Sequence, residues 1–225
     1  ELRKHLAGKK PWEPAWFREG KREMDTRIGE CVDSPRFPLL PQRIVADVRS
    51  AMPENGIVVL DNGMYKLWFA RNYRAFLPNT LLLDNALATM GAGLPSAIAA
   101  KLLYPKRKVL AVSGDGGFMM SSQELETVVR LKLDLVVVII RDDGFGMIQW
   151  EQEMKGFKQF GLSYGNPDFP AYAGSFGAKG YRVRKTKDFL PLLKKALTQK
   201  GVSLIEVPVD YSENKRVFTK LVKQP

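Results

Sequence analysis

Six consecutive apolar residues, Leu135 to Ile140, form the longest unbroken apolar run of the 225-residue chain. A run of that length is far too short to cross a bilayer and reads as a strand buried on both faces. Comparable segments recur at Ile57 to Leu60, Leu81 to Leu83, Lys108 to Ser113, Tyr181 to Val183 and Val202 to Val207. Helical patterns lie between them. Pro41 opens a helix reaching about Ser50, and Leu94, Ile98 and Leu102 share one face at four-residue spacing. Ser121 and Glu124 are placed as a capping box for a helix that buries Leu125, Val128 and Val129. Further helices are expected near Phe169 to Phe176 and over Lys187 to Leu197. Continuous apolar strands alternating with helices predict an α/β fold, a doubly wound, mostly parallel sheet with helices on both faces.

Residues 1–40 are charged and nearly unpatterned and crowd Pro35 and Pro38 near their end, the signature of a linker or N-terminal extension. The domain is expected over 41–212, and 213–225 as a basic C-terminal tail. With 45% hydrophobic and 26% charged residues, the chain can bury a sizeable core. A single cysteine, Cys31, excludes an internal disulfide, a four-cysteine zinc site and a cysteine-ligated iron–sulfur cluster. One histidine, His5, leaves no His-rich metal site, so any metal must be held by oxygen. No signal-like or membrane-spanning segment is present, which makes the cytoplasm the simplest compartment and predicts no membrane partner. The net charge is +11, and residues 179–225 hold 12 Lys and Arg against 4 Asp and Glu. Those cations are not interleaved with aromatics as on a single-strand-binding surface, so no nucleic-acid partner is expected. A basic polyanion-binding module is kept as the remote alternative; a steep salt dependence of nucleic-acid affinity would mark it.

Ligands of a parallel sheet gather at the carboxyl ends of its strands, where two loops stand out: Gly114 to Gly117 and Arg141 to Gly146. Asp115 and Asp142 are 27 residues apart, room for one helix and one returning strand. On neighbouring strands, both carboxylates converge. Glycines 114, 116 and 117 let backbone amides approach a phosphate, and the positive end of the helix from Ser121 points the same way. Mg²⁺ suits such a site, since it takes one or two carboxylates together with phosphate oxygens and water. Either loop alone reads as an ordinary turn.

The G-D-G motif, this spacer and the polar pair before Gly144 resemble the cofactor signature of thiamine diphosphate enzymes. The run Gly114 to Thr127 looks like acetolactate synthase, and Thr89 to Pro95 is similar to the segment that packs against the thiazolium in that group. The resemblance covers about Pro41 to Ser212 and implies the C-terminal, diphosphate-binding domain. It implies Mg²⁺ on the carboxylates of Asp115 and Asp142 and the carbonyl of Gly144, and phosphate oxygens on the amides of Gly116 and Gly117. Gly63, Met64 and Tyr65 occupy the loop that also contacts the diphosphate, without the usual Gln-His pair. Met90 would wedge between the cofactor rings, and the Ala88 carbonyl would accept from the aminopyrimidine. Phe145, Gly146 and Met147 complete the cofactor loop, and Met147 and Trp150 would line the substrate pocket. Arg141-Asp142 replaces the Asn-Asn of many relatives, as in some acetolactate synthases that work without flavin, and FAD stays open.

The glutamate that activates the aminopyrimidine belongs to a pyrimidine-binding domain absent from these residues. Glu124 and Glu126 lie on the helix after the phosphate loop and cannot replace it, so this chain is expected to hold no catalytic residue. The resemblance therefore implies a fragment or one part of a split enzyme, inactive alone, completed by that domain from a missing segment or another chain. A homodimer or tetramer is the family expectation. The implied reaction joins two pyruvate molecules, or pyruvate and another 2-oxo acid, with loss of CO₂. A thiamine diphosphate-dependent decarboxylase or another lyase is the alternative, and product analysis separates the two.

Overall fold

The computed structural model of the protein describes Gly8 and residues 14–222; the rest of the expected linker's first 13 residues, and 223–225 of the expected tail, lie outside the described residues. The chain divides into two compact units, Glu1–Glu30 and Cys31–Pro225.

The first unit carries helix α1 (Ala15–Gly29), where an unpatterned linker was expected. None of its residues is buried, and ion pairs at i,i+4, Lys21 with Asp25 and Glu23 with Arg27, support it. A helix held by charge pairs rather than by an apolar stripe leaves no hydrophobic period to read.

The second unit contains α2 (Pro41–Ala51), β1 (Ile57–Leu60), α3 (Met64–Asn72), β2 (Leu81–Leu82) and α4 (Gly93–Leu103). Then come β3 (Val109–Gly114), α5 (Asp115–Met119), α6 (Glu124–Arg130), β4 (Leu135–Arg141) and α7 (Gly146–Met154). It closes with α8 (Phe169–Ser175), β5 (Lys179–Arg182), α9 (Thr186–Thr198), β6 (Val202–Pro208) and α10 (Asn214–Val222). All six strands are parallel, in the order β2-β1-β3-β4-β6-β5. The doubly wound expectation holds.

Alternation along each strand feeds two cores. Val58, Leu60, Val112, Val136, Val138 and Ile140 meet α2, α3 and α9 through Ile44, Trp68, Phe69 and Phe189. Ile57, Val59, Ala111, Val137 and Ile139 meet α4, α6 and α8 through Leu94, Leu125 and Phe169. This is why the strand runs are continuously apolar.

Several local expectations change. Leu102 is 53% exposed, and Lys101 is buried in its place, donating to the carbonyls of Pro105 and Arg107. Eight residues at 100° each carry Leu102 well off the Leu94 direction, whereas seven bring Lys101 nearly back to it. The Ser121–Glu124 capping box does not form: α6 starts at Glu124, its cap Gln123 makes no side-chain cap bond, and Glu124 accepts from Thr127 instead. The short α5, which follows β3 directly, supplies the helix start at the phosphate loop. Helices α3 and α7, on stretches the sequence reading left without elements, both begin in site loops. The expected tail is helical in part, and Val217 and Phe218 of α10 are buried in the first core. There the indole of Trp68 donates to Asn214 at 2.8 Å and meets the Phe218 ring edge-on at 4.9 Å. Leu39, of the expected linker, is fully buried and bridges Val209 beyond β6. Among the described residues no helix is long and apolar enough to cross a membrane.

Candidate functional site

Strand order reverses at β1, since the chain lays β2 on one side of it and β3 on the other. Loops beyond the carboxyl ends of such neighbours splay apart and leave a crevice. Leu60 pairs with Val112 and Gly114 with Ile140, so the segments starting at Asp61, Asp115 and Asp142 leave the sheet at nearly one level. The 27-residue spacing thus brings both predicted carboxylates to one place.

A cavity of about 420 Å³ lies there. Its lining includes Gly63, Met64 and Tyr65 at the start of α3, Ala88 and Met90 from the segment before α4, Gly114 to Gly117, and Asp142 with Gly144 to Met147. Trp150 is not brought to it. One turn beyond Met147 on α7, Trp150 packs against the first core with its ring 6.2 Å from Phe218. Asn62, Thr89, Met120, Ile148, Tyr164 and Tyr211 also line the cavity, and sequence reasoning missed them.

Among the described residues, the only ionisable acidic or basic side chains in the lining, tyrosines aside, are the two carboxyls Asp115 and Asp142. Burial, then the charge of Asp115 and a hydrogen bond with it, hold the Asp142 carboxyl well above the ordinary carboxylate range. Arg141, next in the chain, does not compensate them. Its guanidinium donates to Asp143 at 2.8 Å and to the buried Glu206 at 2.7 Å. Among the described residues no group of three or more His, Cys, Asp or Glu side chains could hold a metal. Two carboxylates and the Gly144 carbonyl make an oxygen-only partial set, the kind that suits a hard cation whose remaining positions go to water and phosphate.

Asp115 is 1% exposed and accepts four hydrogen bonds. Oδ1 receives the Gly116 amide at 3.0 Å and the Tyr164 hydroxyl at 2.8 Å; Oδ2 receives the Asp143 amide at 2.9 Å and the Asn166 side chain at 2.7 Å. The Gly116 amide, expected to hold phosphate, is thus engaged by its own neighbour. Burial, reinforced by Asp115, raises the Tyr164 hydroxyl above the ordinary tyrosine range.

The glycines leave room for side chains to approach closely. A Cβ on Gly116 would stand 2.6 Å from the Tyr164 hydroxyl, one on Gly117 would stand 2.6 Å from Asp61 Oδ2, and one on Gly146 would strike Asp142. Tyr65 lays its ring across Gly63 and Gly114, and its buried hydroxyl finds no hydrogen-bond partner. Burial first, and then the charge of Asp61, push that hydroxyl up in pKa. Asp61, a third acidic residue directly after a strand, also escaped the sequence reading. It accepts from the Gly91 amide at 2.9 Å, and so fixes the turn that presents Met90, where Gly91 has φ of 88°. Its position after β1 matches that of Asp115 after β3, which is the signal that could have found it.

A parallel sheet whose switch-point crevice has an acidic, glycine-lined floor defines a phosphate-cofactor domain of the α/β class. The chain matches the family described as thiamine pyrophosphate enzyme, C-terminal TPP binding domain, over residues 61–207, and it belongs to that family. It is 40% identical over 174 residues to acetolactate synthase of Bacillus subtilis (strain 168), covering 77% of this chain and 30% of that protein. It is 36% identical to the catabolic acetolactate synthase of Raoultella terrigena, covering 91% of this chain and 36% of that protein. Among solved structures, the thiamine diphosphate-dependent 4-hydroxybenzoylformate decarboxylase of Rhodococcus jostii RHA1 superposes with a TM-score of 0.72 at 26% identity, over 78% of this chain and 33% of that one. The chain spans about a third of the length of these proteins.

Proposed function

We propose that this chain is the diphosphate- and Mg²⁺-binding part of an acetolactate synthase, in which two pyruvate molecules and a proton give acetolactate and CO₂. The observation that carries the cation is the pair Asp115 and Asp142 in a cavity with no cationic side chain. A diphosphate would be repelled by those carboxylates unless a divalent cation joined them. Asp115, Asp142 and the Gly144 carbonyl would hold that cation. The Gly117 amide would donate to a phosphate oxygen. Met90, on the turn clamped by Asp61, would support the cofactor's folded shape, with the Ala88 carbonyl beside the aminopyrimidine. Met147 extends apolar surface from the cation loop and would face a small 2-oxo acid. Thiamine diphosphate, when bound, supplies the carbon that attacks the 2-oxo acid and takes up the electrons left as CO₂ departs.

The pyrimidine-binding side, with its activating glutamate, would come from another segment or another chain, in a homodimer or tetramer. The similarity to curated acetolactate synthases favours carboligation over simple decarboxylation. Product analysis tests it: protein supplied with the pyrimidine-binding domain, pyruvate, Mg²⁺ and thiamine diphosphate is expected to form acetolactate with CO₂. CO₂ without acetolactate would move the reading to a decarboxylase. Calorimetric titration of the chain with thiamine diphosphate, with and without Mg²⁺, tests the cofactor site separately.

A further inference from the structure

Tyr164 lies between two of the proposed cation ligands. Its hydroxyl is 2.8 Å from Asp115 Oδ1 and 3.1 Å from the Gly144 carbonyl oxygen. Both neighbours are acceptors, and a hydroxyl has one proton to donate, so the two contacts share or compete for a single hydrogen. A cation between the same atoms would be attractive to both. Asp115 is also crowded: a carboxylate offers about four lone-pair sites, and four donors approach them besides the Asp142 carboxyl. It can ligate a cation only by giving up a donor.

The hydroxyl is the donor that can be released at least cost. The Asp143 and Gly116 amides belong to the two site loops themselves, and the Asn166 side chain, from the same segment between α7 and α8 as Tyr164, is held by Asp143 at 2.8 Å as well as by Asp115. That segment is joined to the cation loop by the Phe145 amide donating to the Leu162 carbonyl at 2.9 Å, and by the Phe145 and Tyr164 rings 4.8 Å apart. The ring can stay stacked while the hydroxyl moves off the carboxylate.

We propose that the Tyr164 hydroxyl competes with Mg²⁺ for Asp115 and the Gly144 carbonyl and is displaced when the cation binds, so that Tyr164 sets how tightly this site takes its cation. The inference rests on the reading of Asp115 and Gly144 as cation ligands. It is tested with Tyr164→Phe, which keeps the ring against Phe145 and removes only the hydroxyl. Mg²⁺ binding to the full chain is measured by calorimetry with thiamine diphosphate present. Removing a charge-assisted hydrogen bond that competes with the cation is expected to tighten Mg²⁺ binding by about tenfold. A merely structural tyrosine would weaken binding on substitution. Unchanged or weaker Mg²⁺ affinity in the variant, with binding intact in the wild type, overturns this inference alone. No Mg²⁺ uptake by the wild type overturns the reading of the site and the inference together. Should the variant fold poorly, the Tyr164 Cζ resonance of ring-labelled wild-type protein provides a second measurement. It is expected to shift as Mg²⁺ saturates the site, and an unmoved resonance at saturation overturns the displacement.

Discussion

Two groups of carboxylates stand on the same edge of one sheet and meet opposite fates. Glu206, on β6, is 2% exposed and takes Arg141 on one oxygen at 2.7 Å and Arg182 on the other at 2.8 Å. Asp115 and Asp142, beyond the neighbouring strands β3 and β4, are also largely shielded from water, yet among the described residues no side-chain cation lines their cavity. The first group is balanced by the protein's own charges and ties β4, β5 and β6 together. The second is left for a charge from outside. A buried acid with its arginines is architecture; a buried acidic pair without them is an opening for a cation.

That contrast breaks most sharply at Asp115. Asp115→Ala is expected to abolish Mg²⁺-dependent uptake of thiamine diphosphate, a loss of at least about 100-fold by calorimetry, since it removes one of two anionic ligands. Retained affinity would contradict the proposed ligand set. Glu206→Gln should do the reverse. Leaving two arginines without their shared acid is expected to cost about 3 kcal/mol of folding stability in denaturant titration, while cofactor affinity changes little. If affinity fell in parallel with stability, the two groups would not be separable.

A smaller effect concerns pH. The Asp142 carboxyl is raised in the folded state above its unfolded value, so the metal-free fold binds the extra proton more strongly than the unfolded chain. Stability from this group is therefore complete below the unfolded carboxylate pKa near 3.8 and is lost as pH rises through the folded value. Allowing for solvent screening, that loss is of the order of 1 kcal/mol, and saturating Mg²⁺ should shrink it. Melts of wild type and Asp142→Asn between pH 5 and pH 9, with and without Mg²⁺, check this; an identical slope in the variant would remove Asp142 as its source. The smallest change is expected at Trp150. Trp150→Phe should leave cofactor affinity unaltered and cost roughly 1 kcal/mol of stability, because the residue packs in the core rather than lining the cavity. A changed product ratio in that variant would restore it to the substrate pocket.

Much of the fold could be read from the chain because its evidence is local. Leu135 to Ile140 announces a doubly covered strand, and Asp115 and Asp142 follow their strands directly. What escaped reading has its cause at a distance or in a different currency. Helix α1 is supported by charge pairs, and α10 reads as a basic tail until Phe218 meets Trp68, whose indole bonds Asn214 146 residues away. Tyr164 and Asn166 reach Asp115 across 49 and 51 residues from a loop with no periodic pattern. Trp150 shares a helix with Met147 and looks equivalent to it, but one turn along α7 carries it off the cavity.

By itself, then, the sequence determined the strands, several of the helices between them, and the carboxylates that follow β3 and β4. Periodicity and spacing decide those, and both are properties of neighbouring residues. Only the tertiary structure decided which acids are neutralised and which are left exposed to a ligand. Arg141 adjoins Asp142 in the chain and yet turns to Glu206, 65 residues away, because the parallel register of β4 and β6 places Ile139 against Glu206 and brings the guanidinium within reach.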